Sequence, residues 1–149
     1  MGVDATFAGR EYPPTPVFQV GREHVREFAD AVQAKHATHF SIEAAQAAGY
    51  TDLVAPPTFA VIIAQQAEKQ FIADPAAGID FSRVVHADER FVHHRPLVAG
   101  DEVTTVLHVD SIVERAAIAM VTTRCEISDA SGRPVSTVTS TLAIRGEEA

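Results

Sequence analysis

The chain has 149 residues, of which 46% are hydrophobic and 21% charged. That is enough for one packed domain with a real core, and the apolar fraction excludes a disordered chain. A net charge of −8 argues against a general grip on nucleic-acid phosphates, which needs a basic face.

Residues 1–14 read as a flexible lead-in, closed by Tyr12-Pro13-Pro14. Residues 16–20 form a short extended segment stopped by Gly21. From Arg22 to Val32 the apolar positions Val25, Phe28, Ala29 and Val32 recur at helical spacing. Ser41 predicts the N-cap of a second short helix through Ala48, with Gly49 as its stop. The longest helix is predicted from Pro57-Thr58 to about Ala73. Phe59, Ile62, Ile63, Ala67 and Phe71 cover a wide face of it, and Glu68 and Lys69 are its only interior charges. A helix apolar around most of its girth belongs at the centre of a fold.

After Gly78 the period changes to two. Strands are predicted at about residues 84–96, 102–113, 116–128 and 135–145, with Glu114-Arg115 and Ser131-Gly132-Arg133-Pro134 as turns. Val103, Thr105, Leu107 and Val109 share one face. Short connections make these strands antiparallel neighbours. The expected architecture is α+β: one domain over residues 1–149, an antiparallel sheet of about five strands with one face covered by the long helix. The single cysteine, Cys125, cannot form an intramolecular disulfide and reads as a small core residue. No apolar run is long enough to cross a membrane and no secretory signal opens the chain, so a cytoplasmic location is expected.

The densest chemistry lies in residues 33–39, Gln-Ala-Lys-His-Ala-Thr-His. His36 and His39 are two ligands without a suitably spaced third, and His93 and His94 on a strand point to opposite faces, so no metal site is expected. A histidine here is either an acid–base group, given its near-neutral pKa, or an exposed loop residue. No Ser-His-Asp or Cys-His arrangement and no Gly-rich phosphate loop is present, so no cofactor is implied.

Gly49-Tyr50, Val54-Ala55-Pro56-Pro57-Thr58-Phe59 and Arg95-Pro96-Leu97-Val98-Ala99-Gly100-Asp101 are the most specific pieces. Together with the His loop and the Glu43-Ala44-Ala45 helix, they resemble the MaoC-like, hot-dog-fold (R)-hydratases and dehydratases over about residues 17–145. The nearest branch is the HadA-type subunits of bacterial (3R)-hydroxyacyl-acyl-carrier-protein dehydratase. The resemblance implies an antiparallel sheet wrapped around the long helix and two such units paired side by side. It also implies acyl thioesters, on acyl-carrier protein or coenzyme A, as ligands.

Active members of that family carry Gly-Asp-x-Asn-Pro-x-His ahead of the second helix. Laid on this chain without gaps, the catalytic His falls on His39, the Asp on Ala34, the Gly on Gln33 and the Asn on His36. Alanine can neither give nor take a proton, so His39 is half a dyad. The family's His-Gly entry to the central helix, whose N–H polarises the thioester carbonyl, is Pro56-Pro57 here, and proline has no N–H. The Thr58 N–H at the helix start is left to stand in for it.

Both departures imply a substrate-binding, non-catalytic subunit in type II fatty-acid elongation, with a second hot-dog chain bringing the Asp and His. His39 is the candidate catalytic residue. Val54, Ala55, Pro56, Pro57, Thr58, Phe59, Ile62 and Ile63 are the expected walls of the acyl site. Two other readings stand beside this one. The first is a self-sufficient homodimeric (R)-specific enoyl thioester hydratase pairing His39 with Asp30 or Glu43, and the second a non-enzymatic acyl-thioester-binding dimer. A thioesterase is disfavoured, because Glu68 lies too far along the helix to face a thioester at its start.

Overall fold

A computed structural model describes residues 2–147; Met1, Glu148 and Ala149 of the expected domain lie outside them. The chain runs β1 (Phe18–Gln19), α1 (Arg22–Ala31), α2 (Ile42–Ala47), α3 (Ala60–Ile72), β2 (Val84–His93), β3 (Glu102–Arg115), β4 (Ile118–Asp129) and β5 (Pro134–Arg145). The five strands form one antiparallel sheet in the order β1-β3-β4-β5-β2, with α3 packed on β3, β4 and β5. This is the hot-dog architecture.

The local chemistry explains the helix limits. Ser41 Oγ accepts the Ala44 N–H at 3.1 Å, capping α2 as its sequence predicts. Both short helices end in the same paired motif. After α1 the Gln33 and Ala34 N–H groups donate to the carbonyls of Asp30 and Ala29; after α2 Gly49 and Tyr50 donate to Gln46 and Ala45. The motif needs a left-handed residue at its turn. Gly49 supplies it at φ 95°, whereas α1 uses Gln33 at φ 59°.

β3 and β4 are joined by Ala116 and Ala117, both at positive φ, which is the twist-matched two-residue hairpin. The tip therefore falls two residues beyond the expected Glu114-Arg115. The β4–β5 turn is held by Asp129, whose Oδ1 accepts the Ser131 and Arg133 N–H groups at 2.9 and 3.1 Å. The expected neighbour of β2 is corrected: β2 pairs with β5, not with the β3 that follows it. The connection between them leaves the sheet to pair elsewhere, and this carries the chain across to the far side of β4.

The core lies between α3 and the inner sheet face. Val103, Thr105, Leu107 and Val109 are all buried there, as the alternation of that strand predicts. Cys125 is a free, buried core thiol, and its burial pushes its pKa up. Phe59 is fully buried, edge-on to Phe18, His24 and Phe28 with centroids 6.4, 5.1 and 5.4 Å away.

The lead-in follows the outer edge of β3. Gly9, Tyr12 and Thr15 donate N–H groups to Val109, Leu107 and Thr105, and Phe7 is buried against Phe71. No helix among the described residues is long and apolar enough to cross a membrane.

Candidate functional site

The segment entering α3 and the segment leaving β2 are bound to each other. Ala55 N–H donates to Leu97 O and Ala99 N–H to Leu53 O, both at 2.9 Å, around a bridge between Val54 and Val98. The two most distinctive sequence pieces thus form one short ladder. Asp101 locks its far end: its carboxylate accepts from Arg95 at 2.8 and 3.3 Å and from the Val98 N–H at 2.8 Å. Gly100, at φ 97°, allows the turn between them.

Against this ladder opens a cleft of about 500 Å³, lined by His36, Thr38, His39, Val54, Ala55, Pro56, Pro57, His93, His94, Arg95, Pro96 and Leu97. A volume of this size suits a small ligand or one arm of a larger one. His39 is 9% exposed, and its Nδ1 lies 2.6 Å from Val54 O. A carbonyl only accepts, so Nδ1 carries the proton and a neutral ring keeps the lone pair on Nε2. His36 has the opposite tautomer. Its Nδ1 accepts the Thr38 N–H at 3.3 Å, which leaves the proton of the neutral ring on Nε2. His93 Nδ1 is 2.7 Å from Ser136 Oγ.

Arg95 is anchored by Asp101 and, at 3.5 Å, Asp129. The Asp101 bonds hold its guanidinium pKa above the ordinary value. Among the described residues the cleft wall thus holds four histidines and one arginine, and it includes no carboxylate.

The residues expected here divide into two groups. His39, Val54, Ala55, Pro56 and Pro57 meet in the cleft. Thr58 is exposed outside the lining set, Phe59 and Ile63 lie in the core, and Ile62 is half-buried against that core. Ala34 occupies the motif's Asp position, fixed by its bond to Ala29 O and outside the lining set. Asp30 and Glu43, the carboxylates weighed for a self-sufficient enzyme, are exposed and line no part of the cleft. His93, His94, Arg95 and Leu97 enter it because β2 ends there. The readable signal was the Arg95–Asp101 motif, though spacing alone does not pair it with residues 53–55. Among the described residues no group of three or more His, Cys, Asp or Glu could hold a metal ion.

Residues 6–138 match the family model described as the FAS1-like dehydratase domain region. A UPF0336 protein of Saccharopolyspora erythraea is 51% identical over 146 residues, covering 98% of this chain and 94% of the relative. A chain of the HadBC (3R-hydroxyacyl-ACP dehydratase) complex from Mycobacterium tuberculosis is 37% identical. It superposes with a TM-score of 0.83 over 96% of this chain and 99% of that one. A MaoC-like dehydratase, 32% identical with a TM-score of 0.85, matches 93% of this chain but only 42% of its own length.

Proposed function

The chain belongs to the FAS1-like dehydratase-domain family of MaoC-like hot-dog proteins, and from that premise we propose that it is the substrate-binding subunit of a (3R)-hydroxyacyl-acyl-carrier-protein dehydratase. The observation that carries the subunit role is the cleft lining, which among the described residues offers His39 and no carboxylate. Eliminating water across C2 and C3 of a 3-hydroxyacyl thioester removes a proton from C2 and delivers one to the departing hydroxyl. Two groups in opposite protonation states do this in one pass. His39 offers one basic nitrogen, Nε2, while its other nitrogen is engaged by Val54 O. The thioester carbonyl also finds no N–H at Pro56 or Pro57, and loss of such a donor costs roughly 10²–10³ in rate. The acid–base pair then comes from a second hot-dog chain, and this chain holds the acyl thioester.

The sheet supports such pairing. β2 is the last strand of the order and bonds only to β5 among the described strands, and Val85 and Val92 on it are 64% and 49% exposed. An open edge with exposed apolar side chains suits a second sheet laid beside it. The HadBC match comes from a complex, and the MaoC-like match comes from a chain more than twice the span aligned here.

The test is hydration of a trans-2-enoyl thioester by the purified chain and by His39→Ala, each alone and mixed with a hot-dog subunit carrying the Asp and His. The expected result is no turnover by either chain alone and turnover in the mixture. Turnover by the chain alone that disappears in His39→Ala would establish the self-sufficient hydratase instead.

A further inference from the structure

Towards the end of α3 lies a second cavity of about 510 Å³, lined by Gln65, Glu68, Lys69, Ile72, Ala73, Phe81, Val84 and His86. It shares no lining residue with the His39 cleft. Its surface is mostly apolar, with Gln65, Lys69 and His86 as polar wall residues beside Glu68, whose carboxyl is only 2% exposed. A bulge at Ala87 shifts the register of β2 between His86 and Asp88, so that His86 and Glu89 oppose Leu142 and Ser140 on the same face of the sheet. That face meets Glu68.

Ser140 Oγ sits 2.8 Å from Glu68 Oε1 and 2.8 Å from Glu89 Oε1. A serine hydroxyl has one hydrogen, so one of the two carboxyls supplies the other. If the proton is on Glu68 Oε1, Oε2 is a carbonyl-type acceptor; if it is on Glu89, Oε2 belongs to a carboxylate. In both arrangements Glu68 Oε2 is the acceptor, the role that the His86 Nε2 facing it at 3.8 Å also favours, and among the described residues it has no hydrogen-bond partner. His86 Nε2 is 3.8 Å from it, within ion-pair range when protonated but beyond hydrogen-bond reach, and the His86 side chain is 42% exposed.

The missing partner is therefore a donor, and the surroundings select its charge. A carboxylate head would meet the Glu68 carboxyl, whereas an ammonium would meet Lys69 at the rim and face an apolar wall. A hydroxyl suits both neighbours, donating to Oε2 while accepting from the Nε2–H of the displaced His86 ring. We propose that this cavity binds a neutral apolar molecule bearing a hydroxyl group, anchored by a hydrogen bond to Glu68 Oε2. This site is independent of the acyl-thioester reading.

The test is calorimetric titration of the full chain with 1-octanol, octyl methyl ether and octanoate. Saturable octanol binding is expected, with the ether and the octanoate at least about tenfold weaker, the loss associated with a hydrogen bond to a charged or buried group. Glu68→Met abolishes the preference for the alcohol over the ether. Ala73→Trp, at an exposed lining position, fills the cavity and abolishes octanol binding with the core untouched, so the outcome does not hang on how well Glu68→Met folds. Absence of saturable octanol binding, equal affinity for alcohol and ether, or binding that persists in Ala73→Trp would each overturn the proposal; the first would leave Oε2 to solvent.

Discussion

Replacing Glu68 by glutamine isolates the cost of placing a carboxyl in the core. Burial raises the Glu68 pKa above the ordinary carboxylate value; hydrogen bonds from Ser140 and Thr123 and the nearby His86 only partly oppose it. Glu89 is raised as well, first by burial and then by the charge of Glu68. A carboxyl whose folded pKa exceeds its unfolded value binds more protons when folded. Its contribution to stability is complete below the unfolded pKa and is lost as pH rises through the folded one. In Glu68→Gln the amide oxygen takes the place of Oε1, accepting from Ser140 and Thr123 at the 2.8 and 3.3 Å positions. The amide nitrogen replaces the orphaned Oε2 and faces His86. A buried polar group left unpartnered costs about 1–3 kcal/mol, more when charged. The amide nitrogen is itself unpartnered there, so the variant removes only the excess cost of the charge: it is about 1 kcal/mol more stable than the parent near pH 8, and the two converge towards pH 4.5. Urea unfolding at three pH values between these limits reads the difference directly. A gap independent of pH, or a variant less stable at pH 8, would refute the reasoning.

Gln33 holds the left-handed turn after α1 at φ 59°, and Gln33→Gly is expected to raise stability by about 0.5–1 kcal/mol, a melting shift of about 1–4 °C, read by thermal scanning. Phe59→Ala empties the aromatic cluster around a fully buried ring and is expected to cost about 3–5 kcal/mol in urea unfolding. In hydrogen exchange, the amides of Gly9, Tyr12 and Thr15 are expected to be protected by their bonds to β3. Exchange at free-coil rates there would mark the lead-in as flexible.

The sheet was legible wherever one face is buried. In Val103-x-Thr105-x-Leu107-x-Val109, period two and burial coincide, and the strand appears where the alternation puts it. The central helix was legible because Phe59, Ile62, Ile63, Ala67 and Phe71 give it a wide apolar face, and α2 because Ser41 and Gly49 are residues with one physical use at those positions. The partner of β2 was not legible. Its sequence states no neighbour, and only the detour of residues 95–101 to pair with residues 53–55 decides it. The bulge at Ala87 was hidden for a similar reason: one extra residue reverses the inward parity, and alternation read straight through the strand puts Glu89 on the wrong face. Half of the cleft was likewise dispersed, since His93, His94 and Arg95 meet His39 only through long-range bonds.

The second cavity bears on how Glu68 reads from sequence. Taken along the helix alone, Glu68 is one of two adjacent charges on an apolar helix, and the simplest expectation sends both to solvent. Lys69 goes there, but Glu68 is turned inward onto Thr123 and Ser140. A buried carboxyl gives up hydration that hydrophobic burial of the same volume would not require. Here the sheet meets it with two hydroxyls on adjacent strands and a second carboxyl to share a proton, yet leaves one oxygen without a partner. Packing needs none of these groups, because Leu or Met at residue 68 with Val at residues 123 and 140 would fill the same space. The cost of the arrangement and its single unmet acceptor together favour a ligand-facing role over a structural one, and the alcohol-against-ether comparison separates the two.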